Sequence, residues 1–474
     1  MKRMKQPLVV HWFRQDLRLS DNPALNAAAS RGKVLPLYIL DDVNAGEHAM
    51  GGASRWWLHH SLIALQNDLN GSLVVAKGDA KKILVELVQN FSIQAVYWNR
   101  CYEPWRVQRD TQIESELKSL GITTASFNGS LLWEPKDINK PDGTPYKVFT
   151  HFYRKGCLSA PEPRNPLSVP ENLELAEDLG PSMSIEDLEL LPSTRWDLKL
   201  ENYWKFGEEG AQERLNGFLK SGLYDYKKGR DFPADEKVSK LSPYLHFGQI
   251  SPNQVWYVVK AQGSNKNVDH YLSELGWREF SYYQLYHYPD LPDQNMNTRF
   301  NNFPWKDPGD KFKRWCKGQT GCPIVDAGMR ELWETGYMHN RTRMITASFL
   351  TKNMMVHWWH GEQWFWDCLV DADLASNSAG WQWVAGCGAD AAPYYRIFNP
   401  VLQGQKFDPE GNYIRRYVPE LKDLPNKYLA CPWEAPVSVL REAGVKLGET
   451  YPRLLVDIQA SRNSALAAFN KISK

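Results

Sequence analysis

Short apolar runs alternate with helical patterns over the first 130 or so residues, and this constrains the fold more than any other feature. Leu8 to Phe13, Val34 to Leu40, Leu73 to Val75, Ala95 to Trp98 and Ile122 to Phe127 read as strands. Pro23 to Ser30, Ser54 to Leu69, Lys81 to Phe91 and Val107 to Leu120 read as the helices between them. Such alternation requires crossover connections, which make the strands parallel and cover both faces of the sheet. The strands are therefore apolar on both sides. A doubly wound, Rossmann-like parallel-sheet domain follows. Its first strand leads into His11-Trp12-Phe13-Arg14-Gln15-Asp16 and not into a Gly-x-Gly-x-x-Gly turn, so the usual dinucleotide fingerprint is missing there.

From about Leu131 to Glu201 prolines punctuate the chain, and the stretch reads as an interdomain connector. From Trp204 the pattern is helical, with Ala211 to Leu219, Pro252 to Lys260, Val268 to Tyr286, Ile324 to Thr335, Arg341 to Val356 and Glu362 to Leu369 as the clearer segments. The expected architecture is an α/β domain at 1–130, a linker at 131–201 and an all-helical domain at 202–474.

Composition limits function in three ways. A net charge of +1 excludes nucleic-acid binding by a chain-wide basic field, though not by a local basic groove. The seven scattered cysteines, with no Cys-x-x-Cys, fit free thiols in a reducing cytosol. No long apolar span and no signal peptide are read, so a cytoplasmic protein with no membrane association is expected. Tryptophan is enriched: 13 of the 20 lie at or after Trp204, which suits core filling, stacking or electron transfer.

The helical half carries the chemistry. Asp371-Ala372-Asp373-Leu374-Ala375-Ser376-Asn377 to Trp381-Gln382-Trp383 gathers carboxylates, an amide and indoles, downstream of His339-Asn340-Arg341-Thr342-Arg343-Met344. That grouping suggests a flat, polar, redox-active ligand. Each part also has a plainer reading. Asp371 and Asp373 suit a helix N-terminus. Ser242 before Pro243 suits a helix cap. Glu274 and Arg278 suit an i,i+4 surface pair, and His357 and His360 suit a structural role ahead of a metal site. No P-loop, nucleophile elbow or His-Glu-x-x-His occurs, and no metal is expected.

The ordered set Arg230-Asp231-Phe232-Pro233, Trp277-Arg278-Glu279-Phe280, Met338-His339-Asn340-Arg341, Asp371-Ala372-Asp373-Leu374, Gly380-Trp381-Gln382-Trp383 and Tyr394-Tyr395-Arg396-Ile397-Phe398-Asn399-Pro400 resembles the photolyase/cryptochrome family. The resemblance runs from Trp12 to about Pro419. It implies FAD held by the helical domain through Tyr226, Val238, Ser239, Lys240, Leu241, Ser242, Tyr271, Arg278, Asn340, Arg343, Asp371, Ala372, Asp373 and Asn377. Val238 departs from a frequent hydroxyl residue, and Tyr271 from a frequent tryptophan. Asn377 would face flavin N5.

The resemblance further implies light-driven splitting of cyclobutane pyrimidine dimers in UV-damaged DNA. Excited, reduced flavin would pass an electron to a flipped-out dimer. Glu274, Trp277, Asn340, Arg341, Met344, Trp383 and Arg396 would contact lesion or DNA. Trp381, Trp358 and Trp305 would carry electrons from the surface to oxidised flavin. His339-Asn340-Arg341 is similar to dimer-repairing members and differs from (6-4) photolyases. Arg55-Trp56-Trp57-Leu58 and Tyr102-Glu103-Pro104-Trp105 resemble class III photolyases and plant-type cryptochromes. Trp105 and Arg106 replace the pair that binds the folate of class I enzymes, so a 5,10-methenyltetrahydrofolate antenna stacked near Trp57 is expected instead. The protein is expected to be a monomer. The rivals are a signalling cryptochrome without repair and, more distantly, a plain electron-transfer flavoprotein.

Overall fold

The computed structural model describes residues 6–176, 182–391 and 395–473. Contacts divide the chain into two compact units, residues 1–219 with 239–289, and residues 220–238 with 290–474.

The first unit is built on five strands: β1 (Leu8–Phe13), β2 (Lys33–Leu40), β3 (Val74–Lys77), β4 (Ile93–Asn99) and β5 (Thr123–Phe127). They pair in parallel in the order β3-β2-β1-β4-β5. The helices α1 (Pro23–Arg31), α2 (Gly52–Asp68), α3 (Ala80–Asn90) and α4 (Pro104–Ser119) connect them. Asn22 accepts from Leu25 N at the start of α1, and Asp79 caps α3. Val10, Trp12, Leu35, Leu37, Val96 and Trp98 form the core of the sheet, which explains why the central strands read as unbroken apolar runs.

The segment read as a connector packs within this unit. Leu175 bridges Val34, and the buried Glu279 accepts from Leu132 N and Trp133 N. The unit also contains α5 (Pro252–Lys260), opened by a Ser251/Gln254 capping box, and the long α6 (Lys266–His287), capped by Asn265.

The described residues of the second unit contain helices and no strand. Its main helices are α7 (Pro323–Thr335), α8 (Asn340–Ser348), α9 (Trp358–Cys368), α10 (Leu374–Ala385) and α11 (Ile458–Ile472). The single helix expected over Arg341 to Val356 is interrupted. α8 passes into a wide π-helical turn at Phe349–Asn353, and Met355 then takes a left-handed φ of 58°. The carboxylate of Asp326 on α7 accepts from Thr320 N, Thr320 Oγ1, Gly321 N and Tyr451 Oη, tying the C-terminal segment to the helical core. No described helix is long and apolar enough to cross a membrane.

Candidate functional site

The candidate residues fall in both units, and each set is positioned within its own. In the first unit, Lys240 adopts φ 51°, which turns the loop sharply between Ser239 and Leu241. Tyr271 Oη donates to Ser239 Oγ at 3.0 Å, fixing that hydroxyl from α6. Ser242 is the first residue of the short helix Ser242–His246 and does not precede it; Leu241 occupies the cap position, with no side-chain capping bond. The capping alternative for Ser242 is therefore corrected: its backbone is already helical.

Glu274, Trp277 and Arg278 occupy little more than one turn of α6. Trp277 is half-buried, and one face of its indole lies on Phe149 at 3.8 Å and 12°. Gly276 is needed beside it, because a Cβ there would stand 2.5 Å from the Tyr153 ring. Glu274 Oε1 lies 3.8 Å from His270 Nε2. Arg278 Nη1 donates to Ser130 O at 2.8 Å and its guanidinium lies 4.8 Å from the centre of the Tyr282 ring. Burial pushes the neighbouring Glu279 carboxyl up to about 7.

Trp57 does not offer a stacking platform. It is 0% exposed, its Nε1 donates to Gln249 Oε1, and Trp56, Trp204, Phe206, Tyr244 and Phe247 surround its ring. The antenna role expected of it is corrected on that ground: no face is left for a folate. Trp105 is half-buried, with the Arg106 guanidinium 4.5 Å from its ring centre.

In the second unit α8 begins at Asn340, capped by His339, whose Nδ1 accepts from Arg341 N. Asn340 is exposed, and its Nδ2 lies 3.9 Å from Met344 Sδ one turn on. Arg341 pairs with Asp231 at 2.5 Å and lies over Phe407. Arg343 Nη2 donates to both Asp371 oxygens, at 3.0 and 2.8 Å, while its Nε donates to Met338 O. The partly buried Arg343–Asp371 pair is strong because the arginine is held from two sides. Asp373 caps α10 by accepting from Ser376 N at 2.7 Å, so for this residue the plain capping reading holds. Asp371 is engaged by Arg343, and Ala372 between them is buried.

On α10, Asn377 and Trp381 are four residues apart and share a face, whereas Trp383 points elsewhere. Asn377 Nδ2 donates to Glu362 O of α9 at 3.0 Å. Trp381 is buried against Phe365, and a Cβ on Gly361 would stand 2.2 Å from its ring. Trp358 is fully buried with Nε1 donating to Asn295 Oδ1, and Trp305 is half-buried with Nε1 donating to Phe300 O. Trp383 is half-buried, its Nε1 donates to Asp390 O, and it lines a small cleft with Lys352, Tyr395, the exposed Arg396 and Phe469. Tyr226 is buried and Val238 half-buried. Tyr394 lies outside the described residues.

Sequence reasoning missed two buried polar groups here. Glu362, beside Asn377 and Ser378, has its carboxyl pushed up to about 7 by burial. Lys352 donates to Ala385 O at 2.6 Å beneath the Tyr395 ring, and burial holds its amine well below the usual lysine range. Neither carries a local signal, since an acid or a lysine in a helical segment reads first as surface. Among the described residues no group of three or more His, Cys, Asp or Glu is placed to hold a metal.

This arrangement can be set beside known proteins. The DNA photolyase family model matches residues 9–171, and the FAD binding domain of DNA photolyase matches residues 271–471. The chain belongs to the DNA photolyase family and carries its FAD-binding domain. It is 46% identical to the deoxyribodipyrimidine photo-lyase of Agrobacterium fabrum, over 99% of both chains. It is 38% identical to Cryptochrome-2 of Arabidopsis thaliana, over 99% of this chain and 80% of that one. The crystal structure of a bacterial class III photolyase from Agrobacterium tumefaciens superimposes with a TM-score of 0.95 at 45% identity, covering 100% and 99%.

Proposed function

We infer that the protein is a deoxyribodipyrimidine photo-lyase that repairs cyclobutane pyrimidine dimers in DNA by light, using FAD. The observation that carries this is the α10 segment. Its start brings a carboxylate paired with the Arg343 guanidinium, a capping carboxylate and a buried amide within the seven residues from Asp371 to Asn377. These groups offer the mixed donors and acceptors that the edge of an isoalloxazine ring requires. Arg343, Asp371, Ala372, Asp373 and Asn377 would hold the ring. Tyr226, Val238, Ser239, Lys240, Leu241, Ser242, Tyr271 and Arg278 would hold the remainder of the cofactor. Asn340 would serve both the cofactor and the lesion. When bound and reduced, FAD supplies an electron to the dimer under light and recovers it after the ring splits.

The protein's own residues do the rest. Trp277, backed by Phe149, presents one indole face, and Trp383 presents a second, to the flipped dimer. Glu274 hydrogen-bonds a carbonyl of the dimer where negative charge develops. Met344 packs against the lesion. Arg341 and Arg396 meet phosphates, Arg341 exchanging or sharing its contact with Asp231. Asn377 presents an amide where a carboxylate would trade protons with the flavin, which favours the fully reduced state. Trp381, Trp358 and Trp305 restore that state from the surface.

In the same proposal, residues 1–130 serve as the antenna domain, 131–201 as a connector and 202–474 as the FAD and repair domain. The antenna is a methenyltetrahydrofolate on a platform other than Trp57. The protein acts as a cytoplasmic monomer on damaged DNA.

The likeness to Cryptochrome-2 supports a second reading, a blue-light receptor without repair. Reduced protein mixed with DNA containing thymine dimers separates the two. Loss of dimers under blue or near-ultraviolet light, and not in the dark, is expected. No light-dependent loss would overturn the repair assignment.

A further inference from the structure

His357 stands between the two outer indoles of the tryptophan series. Its ring centre lies 4.9 Å from that of Trp305, edge to face, and 5.2 Å from that of Trp358. The same imidazole caps α9: Nδ1 accepts from Trp359 N at 3.2 Å. An acceptor at Nδ1 must be unprotonated, so the cap works only with the neutral ring, whose hydrogen is then on Nε2. Protonation would aim an N–H at an N–H and leave the first turn of α9 without its side-chain acceptor. Burial acts in the same direction, and with His360 one turn away it holds the His357 imidazole down at about 4.

An oxidised indole carries positive charge. A cation at position 357 would repel it on Trp305 and on Trp358, at distances where the interaction is barely screened. A neutral, polarisable ring at that position leaves the route open. We propose that His357 is a positioning residue of the electron route, a helix cap whose geometry keeps a neutral ring between Trp358 and Trp305 so that positive charge can move outward past it. The other titratable groups near the ring are His360, with Asp307 beyond it, and Lys306, whose backbone pairs with the Met355–Val356 segment preceding His357.

This rests on the tryptophan route of the proposed function. One electron would pass from Trp381 to bound oxidised flavin, Trp358 refilling Trp381 and Trp305 refilling Trp358; a soluble thiol refills Trp305, its S–H proton going to water and two of the resulting thiyl radicals coupling to a disulfide. No bond is made or broken among the indoles.

The test uses the flavin-loaded protein with His357→Asn, a neutral side chain able to cap, and His357→Arg, a cation. Blue-light reduction of oxidised flavin in the presence of thiol gives the rate. Transient absorption gives the yield of oxidised tryptophan, and NMR titration of the His357 ring gives its charge. The ring is expected to be neutral at pH 7. His357→Asn should match the parent in rate and yield. His357→Arg should lose on the order of a hundredfold in both, the size that repulsion between two charges about 5 Å apart produces near a protein surface. Dimer repair by protein reduced beforehand should be equal in all three. A protonated His357 at pH 7, or an unchanged rate in His357→Arg, overturns the inference. Trp305→Phe separates the two failures. If it leaves photoreduction intact, the tryptophan route itself is wrong. If it abolishes photoreduction while His357→Arg does not slow it, only the role of His357 falls.

Discussion

Gly361→Ala puts one methyl group at the tightest contact of the proposed electron route. The new Cβ would lie 2.2 and 2.6 Å from two Trp381 ring atoms and 2.7 Å from Leu350 Cδ2. Carbon atoms pack without strain at about 3.5 Å and beyond, so the indole must retreat by roughly 1 Å. It has little room to do so, because Phe365 and Trp315 lie at 4.9 and 6.2 Å between ring centres and both are buried. Overpacking of this kind costs about 1–3 kcal/mol. The helix propensity of alanine over glycine offsets about 1 kcal/mol of it at most. A net loss of up to about 2 kcal/mol is expected in chemical denaturation followed by tryptophan fluorescence. Light-driven flavin reduction should slow, and the absorption of bound oxidised flavin should change little. Gly217→Ala is the control. It lies within a helix with nothing within 4 Å of the added atom, and should gain about 0.4–1 kcal/mol. Parent-like stability together with a parent-like photoreduction rate in Gly361→Ala would show that Trp381 is not locked against α9.

Two other perturbations test separate parts of the site. Glu274→Ala should lower the repair rate roughly tenfold, about 1.4 kcal/mol of lost stabilisation, with flavin content unchanged; an unchanged repair yield under saturating dimer removes the role given to Glu274. Glu362 retains its proton in the folded state up to about 7, against 4.5 for the ordinary group. The folded protein therefore binds more protons than the unfolded chain in that window, and stability falls as pH rises from about 4.5 to about 7 and is flat above. The contribution is about 3 kcal/mol. Glu279 adds a similar slope, so the readout is the difference between the parent and Glu362→Gln in denaturation midpoints across this window. A difference that does not vary with pH refutes the assignment.

Much of the first unit was legible because its determinants are local. The β1 run from Leu8 to Phe13 is apolar at nearly every position, and the observed strand has the same limits. Asp373 announced a helix start by residue type alone. The motifs around Asp371 to Trp383 marked a candidate site for the same reason: the residues proposed to act together there lie within two or three helical turns. What failed depended on partners distant in sequence. Trp57 looked like a platform until Trp204, Phe206, Tyr244 and Phe247 were seen to surround it. The break after Ser348 had no proline or glycine to mark it. The raised Glu362 carboxyl arises from burial against α10, which no spacing in α9 encodes.

The buried lysine has a use of its own. Lys352 is 1% exposed, held between the Ala385 carbonyl and the Tyr395 ring, and Phe469 of the C-terminal helix stacks on the far side of that ring at 4.4 Å. Burial disfavours the charged form of this amine and leaves almost none of it exposed, so a reagent in solvent meets it when the packing around it opens. At reagent concentrations where modification outpaces reclosing, the rate at which an acylating reagent modifies it therefore counts openings of this corner of the helical unit.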